Sequence, residues 1–185
     1  KKTKMTEDVK ADENKRAAEK AKPKLDDKSV EKLLFVERIG IEIGYNLIHL
    51  ADPGLSGGIL DRINLLRREL AREVGFIIPP IRLRDNLQLE SNVYSIKIKG
   101  QDIAGGTLYP EYLLALDSGA ASAKLDGIVG VDPTYGMPGA WVSKDQKNFA
   151  ESVGYTLVDP VSVLITHLSE VIKTHTHEII SREDV

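Results

Sequence analysis

The sequence predicts an α/β (α+β) protein, and three patterns carry that prediction. Ile59, Ile63, Leu66, Leu70 and Val74 recur as one stripe of a 3.6-residue helix. Ile81 to Leu87 and Val93 to Lys99 alternate apolar and polar residues, as strands do when one face is buried. Asp159-Pro160 supplies a helix N-cap followed by proline at the first helical position, ahead of a second apolar stripe.

The elements follow in chain order. Residues 1 to 28 hold ten Lys/Arg and seven Asp/Glu with few apolar side chains, too little to offset the ordering entropy of a packed segment. They are expected to form a charged linker through residue 29, with at most a frayed helix near Ala11 to Lys22. Val30 to Ile43 suits one or two strands that Leu47 to Leu50 continues, and Asp52 to Gly58 reads as a loop. The helix from Ile59 should end at Gly75, placed as a left-handed terminator. Its buried aliphatics are worth about 1.5–3 kcal/mol each.

Phe76-Ile77-Ile78 is a candidate buried strand ended by Pro79-Pro80, which offer no N–H groups. Gly100-Gln101-Asp102 should turn the Val93 strand back into Ile103 to Tyr109, with a bulge at Gly105-Gly106 and a further strand at Leu113 to Leu116. These residues form a β-rich unit of about 50 residues between two α/β segments, within the size range of a small domain. Gly119 to Asp132 reads as a loop, Ala140 to Val142 as a strand, Lys144 to Val153 as a helix and Tyr155 to Val158 as a strand. The last helix should run from Pro160 to about Ser181.

Composition narrows the function. The 185 residues have a net charge of −3 and no Cys. That excludes disulfides and thiolate chemistry and argues against a nucleic-acid partner, whose binding domains are usually strongly basic. No apolar run is long enough to span a bilayer, and no signal peptide is evident. The chain lacks an initiator Met and ends uncapped at Arg182 to Val185, which reads as a piece of a longer protein.

No motif favours catalysis. His175 and His177 cannot share a helix face, His167 and Glu170 read as a helix-supporting pair, and no metal or cofactor is expected. Gly54, Gly57 and Gly58 precede a helix N-terminus, where phosphate binds in other proteins. Ile59 and Leu60 stand where a phosphate loop needs Lys and Ser/Thr, so a nucleotide-binding or hydrolytic enzyme using this loop is the alternative rather than the first reading. Among the aromatic residues, Tyr109, Tyr112, Tyr135 and Trp141 are of the types favoured at interfaces, with Trp141 weighted toward the core.

Six segments together resemble the cytoplasmic region of the FlhA family, the export-gate proteins of flagellar and virulence type III secretion. They are Arg62 to Ala71 with Gly75, Pro79 to Asn86, Tyr94 to Gly100, Asp132 to Trp141, Gly154 to Asp159, and Thr166 to Glu170. The resemblance implies a first α/β domain at 30–84 and 134–158, a β-rich inserted domain at 85–133, and the start of a helical domain at 159–185. It implies a non-enzymatic docking platform on the cytoplasmic face of the bacterial inner membrane, reaching the membrane only through a segment N-terminal to this one. Its partners would be export chaperones with their substrates, other export-apparatus proteins, and further copies in a nonameric ring. Carried onto this chain, the chaperone-binding dimple falls on Ile96, Gly106, Tyr109, Pro138 and Gly139. The family's acidic residue is absent at Gly106 and its Thr is not evident near Gly139. Gly105 and Gly106 are expected to admit a partner's backbone.

Overall fold

The structure, a computed structural model, describes residues 37–180. The expected linker, the Val30–Val36 portion of the first strand and the chain end from Ser181 lie outside the described residues.

Among the described residues, eight strands form two four-stranded sheets. They are β1 (Ile39–Ile43), β2 (Ile81–Asp85), β3 (Val93–Ile98), β4 (Gln101–Thr107), β5 (Tyr112–Leu116), β6 (Ile128–Val131), β7 (Pro138–Ser143) and β8 (Thr156–Val158). The first sheet has the order β2-β1-β3-β4 and the second β6-β7-β5-β8. The helices are α1 (Ile59–Val74), α2 (Lys147–Ser152), α3 (Pro160–Thr174) and the short α4 (Thr176–Ile179). The fold class is mixed α and β, as the patterns predict.

The first sheet buries its inner face. β1 places Ile39, Ile41 and Ile43 inward, and β3 places Tyr94, Ile96 and Ile98 beside them. α1 docks Ile59, Ile63, Leu66 and Leu70 on this layer, and α3 adds Leu164, Leu168 and Ile172. Leu114 and Trp141 of the second sheet join the same apolar cluster. The core is continuous across both sheets. The expected boundary at Asp85 therefore does not coincide with a division between the sheets. β3 and β4, from the segment assigned to the insert, pair onto β1, whereas β5 and β6 pair with β7 and β8.

Local chemistry explains the element ends. Gly75 adopts φ +80°, and its N–H closes α1 on the Ala71 carbonyl. Asp159 caps α3: its Oδ2 accepts from the Ser162 backbone N–H at 3.0 Å and its Oδ1 from the Ser162 hydroxyl at 2.6 Å. α3 stops at Thr174, short of the expected Ser181. There the Thr174 hydroxyl donates to the Glu170 carbonyl and the Thr176 hydroxyl to Ile172, competing with the helical ladder.

Several elements differ from the sequence expectation. Leu47 to Leu50 is not a strand but lies in a 3-10 helix (Tyr45–Ala51), because Leu47 and Leu50, three apart, are the buried pair. Phe76 to Ile78 pairs with no strand; Ile78 is buried, and its carbonyl accepts from Arg67 Nη2 at 2.9 Å. The hairpin turn is Lys99-Gly100, both at positive φ, so β4 starts at Gln101. The bulge falls at Ile103, where pairing jumps from Lys97–Asp102 to Ile96–Ala104. Gly105 and Gly106 stay in register opposite Ser95 and Tyr94. β6 forms inside the expected 119–132 loop.

Gly106 has a steric duty. A Cβ there would meet the Tyr94 hydroxyl at 2.8 Å and two ring carbons at 3.0 Å. That ring is fully buried and hydrogen-bonded at its tip, so it has nowhere to retreat. Gly106→Ala should therefore cost about 1–3 kcal/mol, read as a lower urea midpoint with unchanged slope; an unchanged midpoint would show that the Tyr94 pocket yields freely.

Candidate functional site

The turn between β6 and β7 combines a rigid base with an exposed aromatic. Asp132 is buried, and its Oδ2 accepts from the Tyr135 backbone N–H at 2.8 Å. Its own N–H donates to the Met137 carbonyl and its carbonyl accepts from Gly136 N–H, each at 2.9 Å. Gly136 takes φ +71°, which closes the turn. Held this way, Tyr135 stands 70% exposed. A large ring kept in water by a fixed backbone has the character that interface anchors share.

α3 runs alongside. Thr166, Glu170 and Lys173 recur at i, i+4 and i+7 and so line one stripe of the helix. Lys173 donates to Glu73 of α1 at 2.9 Å. That bond, above all, holds the ammonium above the ordinary lysine value; Glu170 and Tyr135 add weaker electrostatic contributions. Tyr135 therefore lies within electrostatic reach of the Lys173 end of this stripe. Thr134, next to Tyr135, has a buried hydroxyl without a hydrogen-bond partner among the described residues. Asp132, Thr134 and Tyr135 thus bring to one turn an acid, a threonine and an aromatic.

The five residues assigned to that dimple do not form one surface. Ile96 is 0% exposed, within the inner face of β3, and offers nothing to a partner. Gly106 lies under the Tyr94 ring, so the space expected for a partner's backbone is taken by the protein itself. Tyr109 is half-buried, packed edge-on against Tyr112 and Trp141 with centroids 6.0 and 5.5 Å away. Gly139 is half-buried, and a Cβ there would meet the Ala115 carbonyl at 2.4 Å, so its close approach serves β5. Pro138 is exposed, at the start of β7 next to the Asp132 turn.

Pro138 belongs to a second apolar feature. It pairs with Val131, and Ala140 with Val129, so all four side chains share one face. Val129 is 91% exposed and Val131 also projects into solvent. β6 is an edge strand carrying no charged residue, which leaves it open to pairing.

His167, expected as one half of a helix-supporting pair with Glu170, is buried. Its Nδ1 lies 2.7 Å from the Tyr94 hydroxyl. The glycine loop before α1 is already engaged. Gly54 N–H donates to Asp52 Oδ1 at 2.8 Å, Gly57 N–H to Asp61 Oδ2 at 3.0 Å, and Gly58 N–H to the Leu55 carbonyl at 3.0 Å. Two carboxylates stand where the alternative reading needs phosphate. Among the described residues no His/Asp/Glu group has the arrangement of a metal site, and no helix is long and apolar enough to cross a membrane.

The model of the FHIPEP family matches residues 1–185. The flagellar biosynthesis protein FlhA of Bacillus subtilis (strain 168) is 45% identical over 156 residues, which are 84% of this chain and 23% of that protein. The chain thus spans about a quarter of that curated relative. The solved structure of the Chlamydia pneumoniae CdsV protein matches at a TM-score of 0.68 and 24% identity, covering 81% of this chain and 46% of that one. The nonameric SctV-C of EPEC, seen by cryo-EM, matches at 0.51 and 15% identity over 80% of this chain and 43% of that one. These structures share the fold, and with the family model covering every residue, the chain belongs to the FHIPEP family.

Proposed function

We propose that this chain belongs to the cytoplasmic docking platform of a flagellar type III protein export gate. It receives export chaperone–substrate complexes and hands them toward the membrane channel, without making or breaking covalent bonds. The observation that carries this reading is Tyr135, an aromatic ring 70% exposed on a turn fixed by a buried carboxylate. An interface anchor of this kind dominates binding when it enters a partner's pocket.

The proposed docking surface is the Tyr135 turn, the Thr166–Glu170–Lys173 stripe of α3 and the Pro138 rim. Ile96, Gly106, Tyr109 and Gly139 act beneath it, holding Tyr94 and β7 in place. The carboxylates of this acidic chain tune association rate and partner choice more than affinity. The flagellar assignment draws on the identity to the Bacillus subtilis FlhA, and a ring of nine copies is inferred from the nonameric EPEC relative.

Titrating flagellar chaperone–substrate complexes against this chain tests the reading. Tyr135→Ala should weaken binding by at least about tenfold and leave Tm unchanged, the usual behaviour of an exposed anchor. Tyr109→Ala should instead lower Tm through lost packing against Trp141. Wild-type affinity in Tyr135→Ala would refute this docking surface. ATP or GTP at millimolar concentration should leave Tm within about 1 °C, since only a bound ligand stabilises the folded state; a clear rise would restore the enzyme alternative.

A further inference from the structure

One edge of the second sheet keeps its hydrogen-bonding groups unspent. Asp132 N–H donates to the Met137 carbonyl at 2.9 Å, which sets the alternation of the β6–β7 ladder. Gly130 and Ile128, in step with Asp132, aim their backbone groups at Gly139 and Trp141. Val129 and Val131 fall between them, opposite Ala140 and Pro138, in the pairs that exchange no bonds. Pro138 has no N–H to give, and its carbonyl accepts from Asp117 N–H on the β5 side at 3.1 Å. The N–H and C=O groups of Val129 and Val131 therefore point away from β7. Among the described residues no strand lies beyond β6 to receive them.

The edge is held ready from both faces. On one, a Cβ at Gly130 would meet Trp141 Cδ1 and Nε1 at 2.8 Å, so β6 lies close against the buried indole. On the other, Val129, Val131, Pro138 and Ala140 form an uncharged apolar row that a further strand would extend. β6 itself carries neither the charge nor the proline that blocks strand addition elsewhere.

The occupant follows from these groups and from their place. A row of free backbone groups fits an extended chain, with pockets for its alternate side chains. Four residues are too few to hold a second copy, because stable interfaces bury about 1,200–2,000 Å². A short edge becomes effective for a chain tethered nearby, and Val131 stands four residues before Tyr135. Of the partners that docking reading names, the substrate is the one that must be extended to enter a channel. An extended chain brings unpaired N–H and C=O groups of its own.

We infer that β6 captures an extended segment of the export substrate as a fifth strand of the second sheet. It selects uncharged segments with branched apolar residues at alternate positions. The inference rests on the docking reading above and adds to it a contact with the substrate itself.

Amide hydrogen exchange on the 185-residue chain tests it. A chaperone–substrate complex should slow exchange at Val129 and Val131 by at least about tenfold, and the chaperone alone should not. Val129→Lys places a charge on an exposed edge position, so Tm should hold while affinity for the complex falls by at least about fivefold. Val129→Pro, which deletes one free N–H, should weaken binding similarly, and neither variant should alter binding of the chaperone alone. A complex that binds through Tyr135 yet leaves both amides unprotected overturns the inference and spares the docking reading. Equal protection by the chaperone alone, or protection that grows with chain concentration and no partner, also overturns it. If no complex binds, the docking reading fails, and a short peptide alternating Val and Thr then decides strand addition. At millimolar concentration it should protect the same two amides in the wild type and not in Val129→Lys, and its failure to do so overturns the inference.

Discussion

The ring of Tyr94 sits between Gly106 and His167, the latter 73 residues further along the chain, and the packing of β3, β4 and α3 depends on that contact. On one side Gly106 removes every side-chain atom that would collide with it. On the other, its hydroxyl is hydrogen-bonded to His167 Nδ1, which gives a buried polar group the partner it requires. The contact fixes α3 over β3 and β4. α3 in turn carries the stripe that the proposed docking surface includes, so the placement of that stripe follows from the packing of one aromatic ring.

Burial and exposure divide the aromatic residues by role. Trp141, Tyr94 and most of Tyr109 fill the core, where each ring adds apolar area and edge-on contacts. Tyr135 lies only six residues from Trp141, yet the Asp132 turn directs it outward. The buried carboxylate at Asp132 is the cost of that arrangement, and its backbone hydrogen bond with Tyr135 offsets the loss of water. Such preorganisation suits the docking role proposed for this turn, because less ordering remains to be done on binding.

Local elements were legible where local rules dominate. The α1 stripe, its Gly75 terminator and the Asp159-Pro160 start depend on residues within one or two turns. β6 was not legible, because four small or branched residues in a loop-like stretch become a strand only when β7 pairs with them. The Gly105-Gly106 break was visible, but its cause was not: a bulge and a Tyr-bearing partner strand leave the same letters in the sequence. The same limit applied to the site. Asp132, Thr134 and Tyr135 fall within a family-like segment, but nothing local marks them as its exposed portion.

The sequence by itself determined the class of fold, the helix boundaries set by caps and the absence of any strong catalytic motif, because these rest on composition, periodicity and spacing, and it pointed to the family through the likeness of six segments. Only the tertiary structure decided that Ile96 is buried, that Tyr135 is exposed and that His167 is buried against the Tyr94 hydroxyl. Exposure is a property of what other elements cover. The covering elements here come from distant stretches of the chain, and no local pattern records their arrival.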